Sequence, residues 1–505
     1  MSSWADSLRE RRQSGFKSTP SAEDWRRQRS ETSLRLRKAV RNLLLQEKRC
    51  VDDDDSDDDD DATTSITAHD YCRYIMSEDP VTFAKGLRGV RELMAGHSVS
   101  VNIVMNTEGV LARIAALLWY DSNTDVQLNA AWALTRITAG KAEHTAAVMR
   151  EGALAGLVRL LQSPHEVIVE QAIWCLGNIA TDRIEFCNKI VEHVPLHNFI
   201  EVFKKYPSED MWCISSWALS CMCNGVQLLP TQGTKNLLDM IVHLLNHKDS
   251  EISINAATAL VQLTASSENI DLILQASVCP IIVNCLHNRH IASVMLSCAI
   301  GNIAHSTDMH VDVLIASGVL PVLVELINDT TSINPVKKNV AWTASNIAAG
   351  TRAQVDALID SGLAKALADI FPNVDNDVRL EILWTFNNAA QNGSPARVHD
   401  LVELGIVEHA CSAIARKSLN TLNIGLQMLR VFLIVTGVSL GDVYPNPVAV
   451  RIEECGGLST LEMLLQHVVN DIANTAQCII TQYFPSTPES YTALLDDTGG
   501  FAFGR

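Results

Sequence analysis

The sequence predicts an all-α solenoid of stacked helical repeats, and two recurrences carry that prediction. The first is a tryptophan-centred helix word: AAWALTRITAG around Trp132, QAIWCLGNIAT around Trp174, SSWALSCMCNG around Trp217, NVAWTASNIAAG around Trp342 and EILWTFNNAAQNG around Trp384. The first three tryptophans are 42 and 43 residues apart, and the last two are 42 apart. The 125-residue gap between Trp217 and Trp342 holds two copies without the indole, NAATALVQLTA with Thr258 and LSCAIGNIAHSTD with Cys298. The second recurrence is a glycine that opens an apolar helix, at Gly109, Gly152, Gly318, Gly362 and Gly405. Glycine followed by leucines at helical spacing marks a helix start after a tight turn.

A self-similar period in the forties is the mark of armadillo or HEAT repeats. No such unit buries its apolar face alone, so neighbours stack into one continuous core. Each unit reads as a short helix, a second helix beginning near the glycine, and a third carrying the tryptophan. Degenerate copies follow in TLNIGLQMLRVFLIVTG and GGLSTLEMLLQHVVNDIANTAQCIITQYF, and a weaker one precedes in VTFAKGLRGVRELMAG. The expected organisation is a right-handed superhelical armadillo-repeat solenoid of about ten units over residues 70–485. A disordered basic arm (1–50) and an acidic linker (51–69) precede it, and a tail (486–505) follows.

Composition agrees with helices. Of 505 residues, 47% are hydrophobic and only 5% aromatic, which is low for a sandwich or barrel. No apolar run approaches the ~18 residues that span a bilayer, RVFLIVTGVSL being too short, so membrane insertion is not expected. The charged N-terminus does not read as a secretory signal. Thirteen scattered cysteines fit reduced thiols better than a disulfide frame. The close pair Cys221 and Cys223 lacks a second pair for zinc, and core packing is the expected role. His144 and His305 read as solvated loop residues without metal-spaced partners. There is no Walker lysine loop, G-x-G-x-x-G, H-E-x-x-H or G-x-S-x-G. Neither an enzyme, a cofactor nor a metal is expected.

Charge is segregated. Residues 1–50 hold 13 Lys and Arg against 6 acids, DDDDSDDDDD at 52–61 holds nine aspartates, and the net charge of the whole is −18. An acidic solenoid attracts cationic peptides and repels nucleic acid. Within the arm, Leu34, Val40 and Leu44 recur near helical spacing among Arg35, Arg37, Lys38 and Arg41. This is a basic amphipathic helix that orders on a partner. By its residues alone, a membrane surface or RNA would suit it as well as an acidic protein.

Arm, acidic stretch and armadillo units with a W-x-x-x-N word together resemble the importin-α family of nuclear-import adaptors over nearly the whole chain. RRQRSETSLRLRKA looks like that family's importin-β-binding segment, which implicates Arg26, Arg27, Arg29, Arg35, Arg37, Lys38 and Arg41. Lys48 and Arg49 resemble, in shortened form, its autoinhibitory basic cluster. The resemblance implies an adaptor that shuttles between cytoplasm and nucleus. It would bind importin-β, lysine/arginine-rich localisation signals and an export receptor at the C-terminal end. An armadillo scaffold, or an importin-β-binding regulator that has lost general cargo binding, is the alternative.

Residues four apart share a helix face, so Trp174 with Asn178, Trp342 with Asn346, and Trp384 with Asn388 project together. Rows of indoles make slots for lysine or arginine stems, each with a cation–π contribution of roughly 0.5–2 kcal/mol. The amides can pair with an extended peptide backbone. The resemblance adds Trp132, Trp217 and Gln171 to a major site, and a lysine pocket of Gly140, Thr145 and Asp182. It gives Asn302, Trp342, Asn346, Glu381, Trp384 and Asn388 to a minor site. Departures are concentrated in the major site, where Arg136 and Cys221 stand in place of asparagines. Gln262 also departs, and Val311 replaces a threonine in the minor row.

Reversing Arg35, Arg37 and Lys38 to glutamate replaces attraction to an acidic partner with repulsion. The triple variant is expected to lose importin-β in a pull-down; normal recovery would remove the arm from the interaction.

Overall fold

The computed structural model describes residues 67–484, apart from 97, 195, 197–198, 289, 417 and 441–445. The arm residues Arg26, Arg27, Arg29, Arg35, Arg37, Lys38, Arg41, Lys48 and Arg49 lie outside the described residues, as does the expected disorder of that arm. Among the described residues every regular element is a helix. They form two compact units, one ending at Ser266 and one beginning at Ser267.

The first unit opens with Ala68–Ile75 and Pro80–Gly96. Helix begins at Ala68, inside the stretch assigned to the linker. Thr67 and Asp70 form a reciprocal capping box there, which satisfies backbone donors at the helix start. Three-helix repeats follow: Ser98–Asn106, Val110–Leu117 and Thr124–Thr138; Ala142–Arg150, Ala153–Leu160 and Glu166–Asp182; Ile184–His193, Phe199–Lys205 and Glu209–Met222. The last repeat has only Gln232–Leu245 and Ser250–Thr264. Its short first helix, expected from the pattern, is absent because Asn224, Gly225 and Pro230 interrupt the chain there, with Gly225 at φ 72°.

The second unit repeats the pattern with third helices Ser293–Ala304, Asn334–Ala348, Asn376–Asn392, Leu419–Leu440 and Asn470–Tyr483. In both units each third helix packs on the third helix of the next repeat. The helix bearing Trp174 is apolar nearly all round, as a buried helix must be, with Ile168, Val169, Ile173, Leu176 and Ile179 all buried. At roughly 1.5–3 kcal/mol for each large aliphatic side chain, this stacking is the main source of stability.

The glycine landmarks mark the break between first and second helices. Gly109, Gly152, Gly318, Gly362 and Gly405 have φ between 74° and 80°, a left-handed turn that glycine adopts without steric cost. Ser277 holds the same place at φ 55°, and a serine there left no signal in the sequence pattern.

One expectation needs correction. Within Leu419–Leu440, the 19 residues Leu419–Gly437 are long and apolar enough by composition to cross a membrane. Asn423, Gln427 and Arg430 break the apolar run and hid it from a scan for continuous apolar residues. In the fold they are exposed, while Leu422, Leu426, Leu429 and Leu433 are buried among the helices Asn376–Asn392, Ile406–Ile414 and Asn470–Tyr483.

Candidate functional site

A single hydrogen bond recurs where neighbouring third helices meet. Asn178 Nδ2 donates to the Thr135 carbonyl at 3.1 Å, Asn346 Nδ2 to Gly301 at 3.3 Å, and Asn388 Nδ2 to Ser345 at 3.0 Å. Each donor sits four residues after the tryptophan. Each acceptor lies one residue before the matching position of the preceding repeat. Sequence reasoning assigned these amides to a peptide backbone and missed this structural use. The bond consumes one amide N–H and fixes the amide plane, turning Oδ1 away from the carbonyl it would repel. Each such bond contributes about 1 kcal/mol.

Arg136 makes the same link by other means. Its Nη2 donates to the Met94 carbonyl at 2.9 Å, near the C-terminal end of Pro80–Gly96, where a cation is favourable. Its guanidinium carbon lies 5.9 Å from the centre of the Trp132 indole, and that of Arg91 lies 5.8 Å away. Burial pushes Arg136 below its ordinary pKa. The Trp132 ring, expected to await a cationic guest, therefore already has two cations of its own.

The remaining residues of the first unit's set divide in two. Trp132, Trp174 and Trp217 are only 7%, 5% and 1% exposed. Trp217 lies on Gly177, where any Cβ would meet the ring. Gln171, Trp174 and Asn178 share a face at i, i+3 and i+7, and both amide atoms of Gln171 are buried without a hydrogen-bond partner among the described residues. Of the residues expected to form a lysine pocket, two are brought together, Thr145 Oγ1 donating to Asp182 Oδ2, while Gly140 is exposed just past the end of the Trp132 helix. His144 borders Gly140 from within the helix Ala142–Arg150, half-buried. It is not the solvated loop residue expected. Burial, then nearby Lys141, pushes its pKa down.

In the second unit, Trp342 and Trp384 are half-buried and keep part of each indole at the surface. Asn346 and Asn388 are likewise half-buried, whereas Asn302 is buried. Glu381 sits one turn before Trp384, half-buried on the same helix. Trp342 lies on Gly301, again where a Cβ would strike the ring. Val311 is buried at 2% exposure and presents no polar group to this face. His305 is exposed as expected, but its ring lies 6.4 Å from that of Trp342 and its Nδ1 is 3.4 Å from Asn346 Oδ1. It belongs to this face, and no spacing rule pointed to it.

Cys221 and Cys223 are fully buried, and burial raises the Cys223 thiol well above its ordinary value. Both are packing residues. Among the described residues no three His, Cys, Asp or Glu side chains are grouped to hold a metal.

Comparison with known proteins bears on the whole chain. Residues 12–86 match the family model of the importin beta binding domain. Residues 141–181 and 307–349 match the armadillo/beta-catenin-like repeat, and residues 446–498 an atypical Arm repeat. Importin subunit alpha-5 of Arabidopsis thaliana is 29% identical over 492 residues, covering 96% of this chain and 94% of that protein. Importin subunit alpha-1b of Oryza sativa subsp. japonica is 28% identical over 440 residues, covering 85% and 82%. The crystal structure of an engineered protein, 23% identical, superposes with a TM-score of 0.69 over 81% of this chain and 97% of that one, a likeness of fold alone.

Placing a Cβ at Gly301 forces the Trp342 ring off its seat, so Gly301→Ala is expected to cost about 1–3 kcal/mol. Near-UV circular dichroism and denaturant midpoints read the change. Combining it with Trp342→Ala removes the clash, so the two costs are expected to be less than additive; simple additivity would refute the packing relation.

Proposed function

Because this chain is a divergent member of the importin-α family, a non-enzymatic class of nuclear-import adaptors, we propose that it carries lysine/arginine-rich localisation signals chiefly on its second unit. The observation that carries this reading is the contrast between tryptophans. Trp342 and Trp384 keep indole surface at the protein exterior, beside Asn346 and Asn388 held by their backbone bonds. Lysine or arginine stems would lie along the rings, Asn302, Asn346 and Asn388 would hold the peptide backbone, and Glu381 would supply counter-charge.

The first unit contributes its lysine pocket. A lysine ammonium placed among the Gly140 carbonyl, Thr145 and Asp182 gains a charge-assisted hydrogen bond, the stronger class. Gln171, Trp174 and Asn178 support it, while Trp132 and Trp217 serve mainly as packing. Importin-β engages residues within 12–86, the arm included, and Lys48-Arg49 competes for the basic-peptide sites until it does. Release by an export receptor at the C-terminal end and shuttling between cytoplasm and nucleus complete the cycle. The burial of Trp132, Trp174 and Trp217, with Arg136 and Cys221 at asparagine positions, favours the second reading: a scaffold or importin-β-binding regulator that has lost general cargo binding.

Binding of a labelled lysine-rich peptide to the full chain separates these readings. Removing two partly exposed rings with Trp342→Ala and Trp384→Ala is expected to weaken binding by about tenfold or more. Asp182→Asn, which spares the core tryptophans, is expected to change the dominant dissociation constant by less than about threefold, since it acts on the weaker site. The reverse order would move cargo to the first unit, and no binding by any version would favour the scaffold.

Deleting residues 1–50 should tighten binding of the same peptide, because a tethered competitor acts at roughly millimolar effective concentration. Equal dissociation constants with and without the arm would exclude self-inhibition.

A further inference from the structure

Most arginines that link repeats in this fold have carboxylate partners. Arg159 pairs with Asp121 at 2.5 Å, Arg397 with Asp356 at 3.0 Å and Asp360 at 2.6 Å, and Arg451 with Glu403 at 2.7 Å. Arg91 and Arg136 differ. Arg91 Nη1 donates to Asn129 Oδ1 at 3.4 Å, and Arg136 Nη2 to the Met94 carbonyl. Both acceptors are neutral, and among the described residues neither arginine forms an ion pair. Both guanidiniums lie within 6 Å of one indole, at 5.8 and 5.9 Å from its centre, on a protein whose net charge is −18. Burial also opposes the charge on Arg136. Two cations on one indole, each hydrogen-bonded to a neutral acceptor, make a local positive patch that an incoming anion would relieve.

Resting on the adaptor reading above, we propose that Arg91 and Arg136 make the Trp132 end of the first unit a subsite for an anionic side chain. The peptide preferred there carries a lysine for the Thr145–Asp182 pocket and a glutamate, aspartate or phosphorylated residue for the arginine pair. A uniformly basic peptide is disfavoured. Spacing follows from the helix. Trp132 and Gly140 are eight residues apart, about 12 Å at the helical rise, which an extended peptide spans in three or four residues at roughly 3.3 Å each. Arg136 is thus a specificity determinant that keeps the inter-repeat bond of the asparagine row while showing cargo a positive charge where an asparagine is neutral. Nucleic-acid phosphate is disfavoured as occupant because the surrounding solenoid is acidic.

The test uses the full chain carrying Trp342→Ala and Trp384→Ala, so that the first unit is read alone. Three labelled peptides are compared by fluorescence anisotropy: all-lysine, one with glutamate four residues from a central lysine on either side, and one with phosphoserine there. The expected result is an anionic-to-basic preference of about tenfold, abolished or inverted by Arg136→Asn. Glutamate and phosphoserine arms tell the two anion sources apart. Arg91→Gln, which leaves the Met94 bond in place, is expected to reduce the preference too and covers the case in which Arg136→Asn does not fold. Stronger binding of the all-lysine peptide by the unsubstituted arginines, an unchanged ratio in both variants, or tighter binding of a single-stranded oligonucleotide would overturn the proposal. Absence of any peptide binding even with Trp342 and Trp384 intact would instead overturn the adaptor reading.

Discussion

Each third helix of this solenoid carries an apolar face that is stable only when a neighbouring third helix covers it. The rest of the architecture follows from that requirement. Close approach needs small residues beneath large ones, and Trp217 on Gly177 and Trp342 on Gly301 meet it directly. Approach also brings backbone carbonyls of one helix against side chains of the next. The Asn178, Asn346 and Asn388 amides satisfy those carbonyls. Packing and polar satisfaction are thus solved by the same turn of helix.

That turn also carries the side chains proposed above to meet a peptide. A side chain that must donate to a neighbour's carbonyl has its remaining polar surface held in a fixed direction, a form of preorganisation. The constraint is on the donor and not on its identity, which explains how Arg136 is tolerated. It donates to Met94 as an asparagine would to its own neighbour, and its long stem lets the guanidinium also lie by Trp132. The fold keeps its link and gains a positive charge beside the indole. Cys221 is the other solution, in which a buried thiol serves packing and the strong donor is given up.

The two units accordingly differ in what they expose. Trp132, Trp174 and Trp217 are drawn into the packing, whereas Trp342 and Trp384 retain surface, although all five belong to one sequence word. Helix composition alone does not separate them, because exposure depends on what lies across the face: Arg91 and Arg136 at Trp132, an exposed histidine at Trp342. The Thr145–Asp182 contact was legible from the sequence pattern, since the two residues were assigned to one pocket and do meet. Arg91 and His305 were not legible, since their partners lie about forty residues away and follow no short motif.

The sequence by itself determined the repeat, its period, its helical class and the order of helices within a unit. Those properties follow from apolar periodicity and from glycine's access to left-handed backbone, both local in the chain. Its limits were equally physical. Ser277 occupies a glycine position, and Leu419–Leu440 is an apolar helix whose run is broken by the outward-facing Asn423, Gln427 and Arg430; both escape a rule about residue type. Only the tertiary structure decided which tryptophans are packing and which are surface, that the asparagines bond the preceding helix, and that two arginines share one indole. Each of these is a contact between repeats, set by how closely two helices stack and not by the residues of either helix alone.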